Sequence, residues 1–276
     1  MTHKIDRLRT FILPMLKCVC CNAHDLSLIT DSEIRCNSCA KSYPVYQGTP
    51  IMLENTAEGM HFSSDVVIGN PYTAQWRDVI DRAAPGPVLD FGSGNNPDEI
   101  DNVVKLDVFA MPHVDVVGTG ERLPFRDGTF AAVVSGAVFE HVQQPFVCAE
   151  NIYKAMRPGA ELYVETAFLQ PYHAYPHHYF NMTTRGVTKV FEAFEPRVVG
   201  VLPWQGPLFT LHWIVRRWSE ILAPGDREAF LGTTVGEIIR EAQKNPFSDR
   251  WLNGFTPRDL EELACAVHFN GHKPAA

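Results

Sequence analysis

The chain has no apolar run approaching the roughly 18 residues that a membrane-crossing helix needs, so no transmembrane span is expected. The early patch Phe11-Ile12-Leu13-Pro14-Met15-Leu16 is too short for the apolar core of a secretory signal and has no small-residue cleavage site behind it. It reads as a strand or docking segment. Basic residues are in deficit: 24 Lys and Arg against 32 Asp and Glu leave a formal charge of −8. That balance speaks against nucleic acid as a partner of the whole surface and favours small, weakly charged acceptors. Repeats and low-complexity tracts are absent. Beyond residue 40 only two of the seven cysteines remain, which excludes a disulfide framework. The early cysteines point instead to metal or thiol use in a reducing compartment, and a cytoplasmic location is expected.

With 45% hydrophobic residues among 276, the chain can bury the core of one large α/β domain with an appendage. The appendage comes first. Cys18-Val19-Cys20-Cys21 and Cys36-Asn37-Ser38-Cys39 make two C-x2-C pairs separated by fourteen residues. A turn in each pair aims both thiolates at one ion, and two pairs complete the tetrahedral four-sulfur site that zinc prefers. Cys20 competes with Cys21 as a ligand but would make a tighter C-x-C pair, so Cys18, Cys21, Cys36 and Cys39 are the expected set. A redox role is disfavoured by the second pair and by the lack of a surrounding βαβ pattern. Between the pairs, Leu26–Ile29 and Glu33–Arg35 read as a hairpin across Thr30-Asp31-Ser32. The head resembles the short zinc-ribbon domain of the Trm112-like type over about residues 15–53, through Tyr43-Pro44-Val45-Tyr46-Gln47-Gly48-Thr49-Pro50. That resemblance implies a structural zinc and a docking role, with a protein partner as one use of it.

The remainder alternates strands and helices. A helix is expected from Tyr72 to Ala84, then strands at Val88–Phe91, Val103–Val108, Val114–Val117 and Ala131–Ser135. A helix starting at Pro145 follows, then a strand at Glu161–Thr166, a helix at Gly186–Phe194 and a strand at Arg197–Leu202. Helices at Phe209–Leu222, Asp226–Ala242 and Thr256–His268 complete the chain, with Trp213 and Trp218 expected as packing aromatics. The fold class is α/β: a Rossmann-like, mostly parallel sheet covered on both faces, with a small zinc ribbon before it and helical additions after it. The expected domains are 1–53 and 54–276, the latter extended by helices from about 205, with residues 54–70 as a linker or lid. Only about ten residues, Ser93 to Asn102, separate the first two strands of the sheet. A parallel crossover normally needs a dozen or more and a helix, so the first crossover is shortened.

Strand one ends in Asp90-Phe91-Gly92-Ser93-Gly94, and strand two delivers Asp107 seventeen residues after Asp90. Two neighbouring strand ends then bring carboxylates and bare backbone to one cleft, which suits a cofactor carrying positive charge and ribose hydroxyls. The bland alternative is a pair of solvated strand ends. A nicotinamide dehydrogenase would want a third glycine opening a long helix for the pyrophosphate, where this chain has Pro97 and almost no room for a helix.

These motifs resemble the class I S-adenosylmethionine-dependent methyltransferases of the type 11 group. The matching pieces are Asp90–Gly94, Asp107, Gly118–Phe125 with Asp127–Phe130, Ser135–Val142 and Met156-Arg157-Pro158-Gly159-Ala160, over about residues 72–200. The resemblance implies S-adenosylmethionine as cofactor. It places Asp90, Gly92, Ser93 and Gly94 by the methionine, Asp107 and Val108 by the ribose, Thr119, Gly120 and Glu121 by the adenine, and Ser135 beside the methionine chain. Two departures stand out. Thr119 replaces the family's acid, and Asn95-Asn96-Pro97 alters the wall near the methionine carboxylate. For the acceptor side, His141 after strand four is the first candidate for a general base, and His178 in the loop from Tyr172 to Asn181 is the second. The expected activity is methyl transfer to a small organic acceptor. The alternative is an adaptor carrying a degenerate methyltransferase fold.

Overall fold

The computed structural model describes residues 2–55, 69, 71–173, 177–245 and 251–266. The expected linker or lid at 54–70 falls almost wholly outside the described residues, as do 174–176 of the His/Tyr-rich loop. The described chain divides into two compact units, Met1–Ala167 with Met182–Arg197, and Phe168–Asn181 with Val198–Ala276.

In the first unit, helix α1 (Thr2–Arg7) runs into a π-helical turn, Leu8–Ile12, and a 3-10 turn, Leu13–Met15. Of the strand or docking segment expected at Phe11–Leu16, the strand is replaced by helical backbone, which turns Leu8 and Ile12 to the same buried side. A four-stranded antiparallel sheet follows: β1 (Leu26–Thr30), β2 (Glu33–Cys36), β3 (Ser42–Tyr46) and β4 (Thr49–Pro50), in sequential order. The β3–β4 turn has Gln47 and Gly48 both at positive φ, 49° and 85°, the backbone of a tight hairpin.

Helix α2 (Ala74–Ala83) is capped by Thr73, whose hydroxyl accepts from the Trp76 N–H. Five parallel strands then form the main sheet: β5 (Val88–Phe91), β6 (Val103–Asp107), β7 (Val116–Val117), β8 (Phe130–Gly136) and β9 (Met156–Glu165), in the order β7-β6-β5-β8-β9. The order reverses beside β5, so the carboxyl ends of β5 and β8 flank a switch point, where open parallel sheets bind ligands. The shortened crossover is present: no helix forms among residues 92–102, although β5 and β6 lie parallel and adjacent. The β6–β7 and β7–β8 connections also lack helices. Only β8 to β9 is bridged by one, α3 (Pro145–Ala155), whose Pro145 sits at the first turn.

Each face of the sheet is still covered. On one face, Trp76, Val79 and Ile80 of α2 pack on Val88, Val103, Ala132 and Val134. On the other, Leu89, Phe91, Val104, Leu106 and Val116 share a core with Leu8, Ile12, Leu16, Ile34, Tyr43 and Met52 from the head, and with Cys148, Ala149 and Ile152 of α3. The head thus occupies the layer that crossover helices would fill. It also continues the sheet. Ile51 makes a parallel bridge with Val117, and the Met52 N–H donates to the Val117 carbonyl at 2.8 Å.

Helix α4 (Thr184–Val190) has the Thr183 cap that the sequence implies. The strand expected at Arg197–Leu202 does not form: this stretch is irregular, and Val198 is 90% exposed. Among the described residues its valines pair with no strand. The second unit holds α5 (Pro207–Ile221), α6 (Pro224–Gly232), α7 (Val235–Lys244) and α8 (Pro257–Glu262), and residues of α5, α6 and α7 pack with Leu222 and Trp251. The single helix expected at Asp226–Ala242 is two, because Thr234 caps a new start by a reciprocal bond with Glu237. Trp218 packs on Phe230 at 5.1 Å, as a core aromatic. Among the described residues no helix is long and apolar enough to cross a membrane.

Candidate functional site

The carboxyl edge of β5 and β6 is built from a turn and two acids. Gly92 and Gly94 have φ of 76° and 56°, and a β-carbon at Gly92 would lie 2.3 Å from a Val138 methyl. Glycine is required at 92 on both counts. The Gly94 N–H donates to Asp107 Oδ2 at 2.9 Å, and the Phe109 N–H donates to Oδ1 at 3.1 Å. Asp107 therefore ties the β5 turn to the end of β6 without a helix. Burial raises its pKa, while the N–H groups of Gly94, Phe109 and Val108 act to lower it. Val108, the next residue, is exposed.

Asp90 is buried and accepts the Tyr72 hydroxyl at 2.7 Å. Its register partner on β6 is Lys105. Burial pushes the Asp90 carboxyl up to about 7, against the opposing Tyr72 hydrogen bond and the Lys105 charge. Lys105 Nζ donates to the Asn96 and Asp98 carbonyls, both at 2.6 Å, and so satisfies backbone that a crossover helix would have bonded internally. The Asp98 N–H donates to Asn96 Oδ1 at 2.9 Å, which leaves the buried Asn96 Nδ2 without a partner.

Along the neighbouring strands, Ser135 donates from Oγ to the Phe91 carbonyl at 2.9 Å, and Ser93 from Oγ to the Gly94 carbonyl at 3.0 Å. After β7, the Thr119 hydroxyl accepts the Arg122 N–H at 3.3 Å, and Glu121 accepts the Gln144 N–H at 3.4 Å. The backbone carbonyls of Gly120 and Glu121 accept from Asn151 Nδ2. Asp90, Gly92, Ser93, Gly94 and Asp107 thus share one edge with Ser135. Asn96, expected in the wall of the site, belongs to it, and so do Tyr72 and Lys105, which sequence reasoning missed. Tyr72, one residue before the Thr73 cap of α2, was the signal for the first. A lysine inside an otherwise apolar strand was the signal for the second.

His141 is half-buried at the turn after β8, its N–H donating to the Val138 carbonyl at 2.8 Å. His178 belongs to the second unit. There, its Nδ1 accepts the His173 N–H at 3.1 Å, so its proton lies on Nε2, which donates to Asn181 Oδ1 at 3.1 Å. Its ring stacks on Tyr172 at 5.6 Å.

The sulfurs of Cys18, Cys21, Cys36 and Cys39 lie within 4.8 Å of one another, and the 18–39 and 21–36 pairs are 3.6 Å apart. A tetrahedral zinc with bonds of roughly 2.3 Å requires sulfurs about 3.8 Å apart, so the donor set fits that ion. Cys20 is exposed and outside the cluster. The two turns share one design. Asn22 and Ala40, each directly after the second cysteine, have φ of 58° and 59°, and their N–H groups return to the Cys18 and Cys36 carbonyls. Tyr43 explains its place in the Tyr-Pro-Val motif: its hydroxyl lies 3.0 Å from Cys18 Sγ. Burial raises the Cys18 thiol, but this hydroxyl and the N–H groups of Cys21 and Cys20 bring it to about 7.

Residues 97–164 match the model of the methyltransferase domain family, beginning just after the glycine turn and ending within β9. No curated protein matches the chain. Among solved structures, the chain resembles one from the complex between the Haloferax volcanii Trm112 methyltransferase activator and its methyltransferase, at 18% identity and TM-score 0.33, covering 42% of this chain and 64% of that one. It also resembles Haemonchus contortus phosphoethanolamine N-methyltransferase 2, with 18% identity, TM-score 0.38 and coverage of 63% and 48%. A third is an S-adenosylmethionine-dependent methyltransferase of Mesorhizobium loti, with 14% identity, TM-score 0.32 and coverage of 44% and 80%. The chain spans less than two thirds of the Haloferax and Haemonchus chains. The family match classes the region from the helix-free crossover to β9 as a methyltransferase domain.

Proposed function

We propose that this chain transfers a methyl group from S-adenosylmethionine to an oxygen or nitrogen of a small organic acceptor, such as a secondary-metabolite or sugar-pathway intermediate. The observation that carries this reading is the edge of β5 and β6: a buried carboxylate, Asp90, and a half-buried one, Asp107, around a glycine turn, with no helix start behind them. A pyrophosphate there would meet like charge and no helix N-terminus, whereas a sulfonium and an ammonium are favoured. In this reading Asp90 faces the cationic end of the cofactor, Asp107 and Val108 the ribose, Thr119, Gly120 and Glu121 the adenine, and Ser93 and Ser135 the methionine chain.

The reaction is an in-line displacement. An acceptor lone pair takes the methyl carbon, the carbon–sulfur bond breaks, and the sulfonium leaves as a neutral thioether. The protein's work is alignment, exclusion of water and removal of the acceptor proton. His141 is the first choice for that base, being half-buried beside the end of β8. His178 is the second, and its Nδ1 would have to release the His173 N–H to take a proton. Zinc held by Cys18, Cys21, Cys36 and Cys39 would have a closed four-sulfur shell and supply folding energy rather than chemistry.

A second reading has support of its own. Asp107 already accepts two backbone N–H groups, Asp90 accepts Tyr72, and Thr119 accepts Arg122. A site satisfied from within suits an adaptor that keeps the fold and has given up the cofactor, with the head as a docking surface for a protein. Calorimetry with S-adenosylmethionine and S-adenosylhomocysteine separates the two: binding heat is expected, and its absence for both compounds would sink the enzyme reading. His141→Ala is expected to lower turnover on an identified acceptor about 10²–10⁴-fold while leaving cofactor affinity in place. Full turnover would remove His141 as base.

A further inference from the structure

The segment after β7 that carries Thr119, Gly120 and Glu121 is gripped from two sides. On the α3 side, Asn151 Nδ2 holds the Gly120 and Glu121 carbonyls at 3.0 and 2.9 Å. A β-carbon at Gly120 would come within 2.6 Å of both Cys148 Sγ and Phe91 Cζ, so this backbone lies flat against the core.

The other grip comes from the chain around the first cysteine turn. The Lys17 N–H donates to the Pro124 carbonyl and the Arg126 N–H to the Met15 carbonyl, both at 2.9 Å, and Leu16 bridges Phe125 between them. The Arg126 guanidinium donates to the Leu16 carbonyl at 3.0 Å and the His24 carbonyl at 2.6 Å, just before and just after the Cys18–Cys21 turn. Arg122, whose own N–H caps Thr119, reaches the Val19 carbonyl inside that turn at 3.4 Å. Lys17 and Asp127 add an ion pair at 3.2 Å, which is too exposed on the Asp127 side to contribute much.

The side-chain acceptors that Arg122 and Arg126 use in this second grip, the carbonyls of Val19, Leu16 and His24, all lie in or beside the cysteine turn. The turn in turn depends on four sulfurs converging, and four thiolates repel unless an ion holds them. Residues 119–126 and the cysteine turn therefore share one set of hydrogen bonds.

We propose that the cysteine centre is coupled to the cofactor edge through Arg122 and Arg126, so that metal bound at Cys18, Cys21, Cys36 and Cys39 raises the affinity for S-adenosylmethionine. This rests on the methyltransferase reading of Thr119–Glu121. The coupling is reciprocal: whatever factor the metal adds to cofactor affinity, the cofactor adds to metal affinity. The head then acts on its own chain as a clamp, in addition to any role as a surface for other proteins. Couplings of this kind are typically 5–150-fold, and about tenfold is expected here.

The test uses the full zinc-loaded chain, with S-adenosylhomocysteine binding read by calorimetry and zinc read by metal analysis. Arg126→Gln removes no sulfur ligand, so it is expected to keep its zinc and to bind S-adenosylhomocysteine about tenfold more weakly. In the reverse arm, competition with a chelator should show zinc held about tenfold more tightly by the wild-type protein when S-adenosylhomocysteine is saturating. The reverse arm decides alone if Arg126→Gln does not fold. Unchanged affinity in a folded, zinc-retaining Arg126→Gln, or zinc affinity indifferent to S-adenosylhomocysteine, would overturn the coupling and leave the enzyme reading standing. Failure of the wild-type protein to bind S-adenosylhomocysteine at all would overturn both.

Discussion

The connections from β5 to β6 and from β8 to β9 join neighbouring parallel strands in opposite ways. The second uses a helix: α3 satisfies its own backbone and buries Cys148, Ala149 and Ile152 against the sheet. The first has no helix, and its backbone is satisfied piece by piece from side chains. Lys105 takes the Asn96 and Asp98 carbonyls and Asp107 takes the Gly94 N–H, while Asn102 Nδ2 ties the end of the connection to the Gly86 carbonyl before β5 at 2.8 Å. The apolar cover that a first crossover helix would bring arrives instead from α1, the turns after it and the cysteine-bearing strands. A crossover helix is thus two separable things, a self-satisfied backbone and an apolar lid, and this chain obtains them from different places. Because the replacement is polar, it leaves charged groups at the edge where the cofactor is proposed to sit.

The contrast can be broken at several points. The largest effect is expected from Lys105→Met, which strands two buried carbonyls and removes the positive partner of Asp90. A loss of about 3–5 kcal/mol is expected in denaturant unfolding. A loss under about 1 kcal/mol would mean that the connection does not rely on the ammonium.

Asp90→Asn sharpens the same point with pH. An acid whose folded pKa is raised to about 7 from the ordinary value near 4 stabilises the fold fully below pH 4, and that contribution disappears as pH rises through 7. Its full size is on the order of 4 kcal/mol. The wild-type protein should lose this increment between pH 4 and 7 relative to Asp90→Asn, so the variant is expected to be the more stable at pH 8 and the weaker binder of S-adenosylmethionine. Parallel melting curves for the two proteins from pH 4 to 8 would contradict the assignment.

Ile152→Ala tests the helical connection. Ile152 is fully buried, and its truncation should cost about 3 kcal/mol with no pH dependence between 5 and 8. The smallest effect is expected from Asn102→Ala, about 1–2 kcal/mol for a single lost bond to the Gly86 carbonyl. Equal losses for Asn102→Ala and Lys105→Met would show that the connection has no dominant support.

The helix-free crossover was legible in advance, because Asn95-Asn96-Pro97 and the short interval left no room for a helix. Strand β5 was legible to the residue, since an apolar run between Pro87 and a glycine turn admits one length. The cysteine set was legible from spacing alone. What escaped was the seat of the head on the sheet. It is made through the carbonyls of Pro124, Val117 and Val114, and a carbonyl acceptor leaves no trace in residue type. The strand expected at Arg197–Leu202 failed for the complementary reason. A run of β-branched valines states a preference for extended backbone, but a strand exists only where another strand offers its ladder.

The bridge between Ile51 and Val117 has a practical consequence. An open β7 edge would present free backbone donors and acceptors beside the apolar face of Leu106 and Val116, which is a template for pairing with other molecules. Removing residues 1–53 to isolate the transferase portion is therefore expected to produce an aggregating protein, because in this chain the cysteine head covers the edge of the sheet.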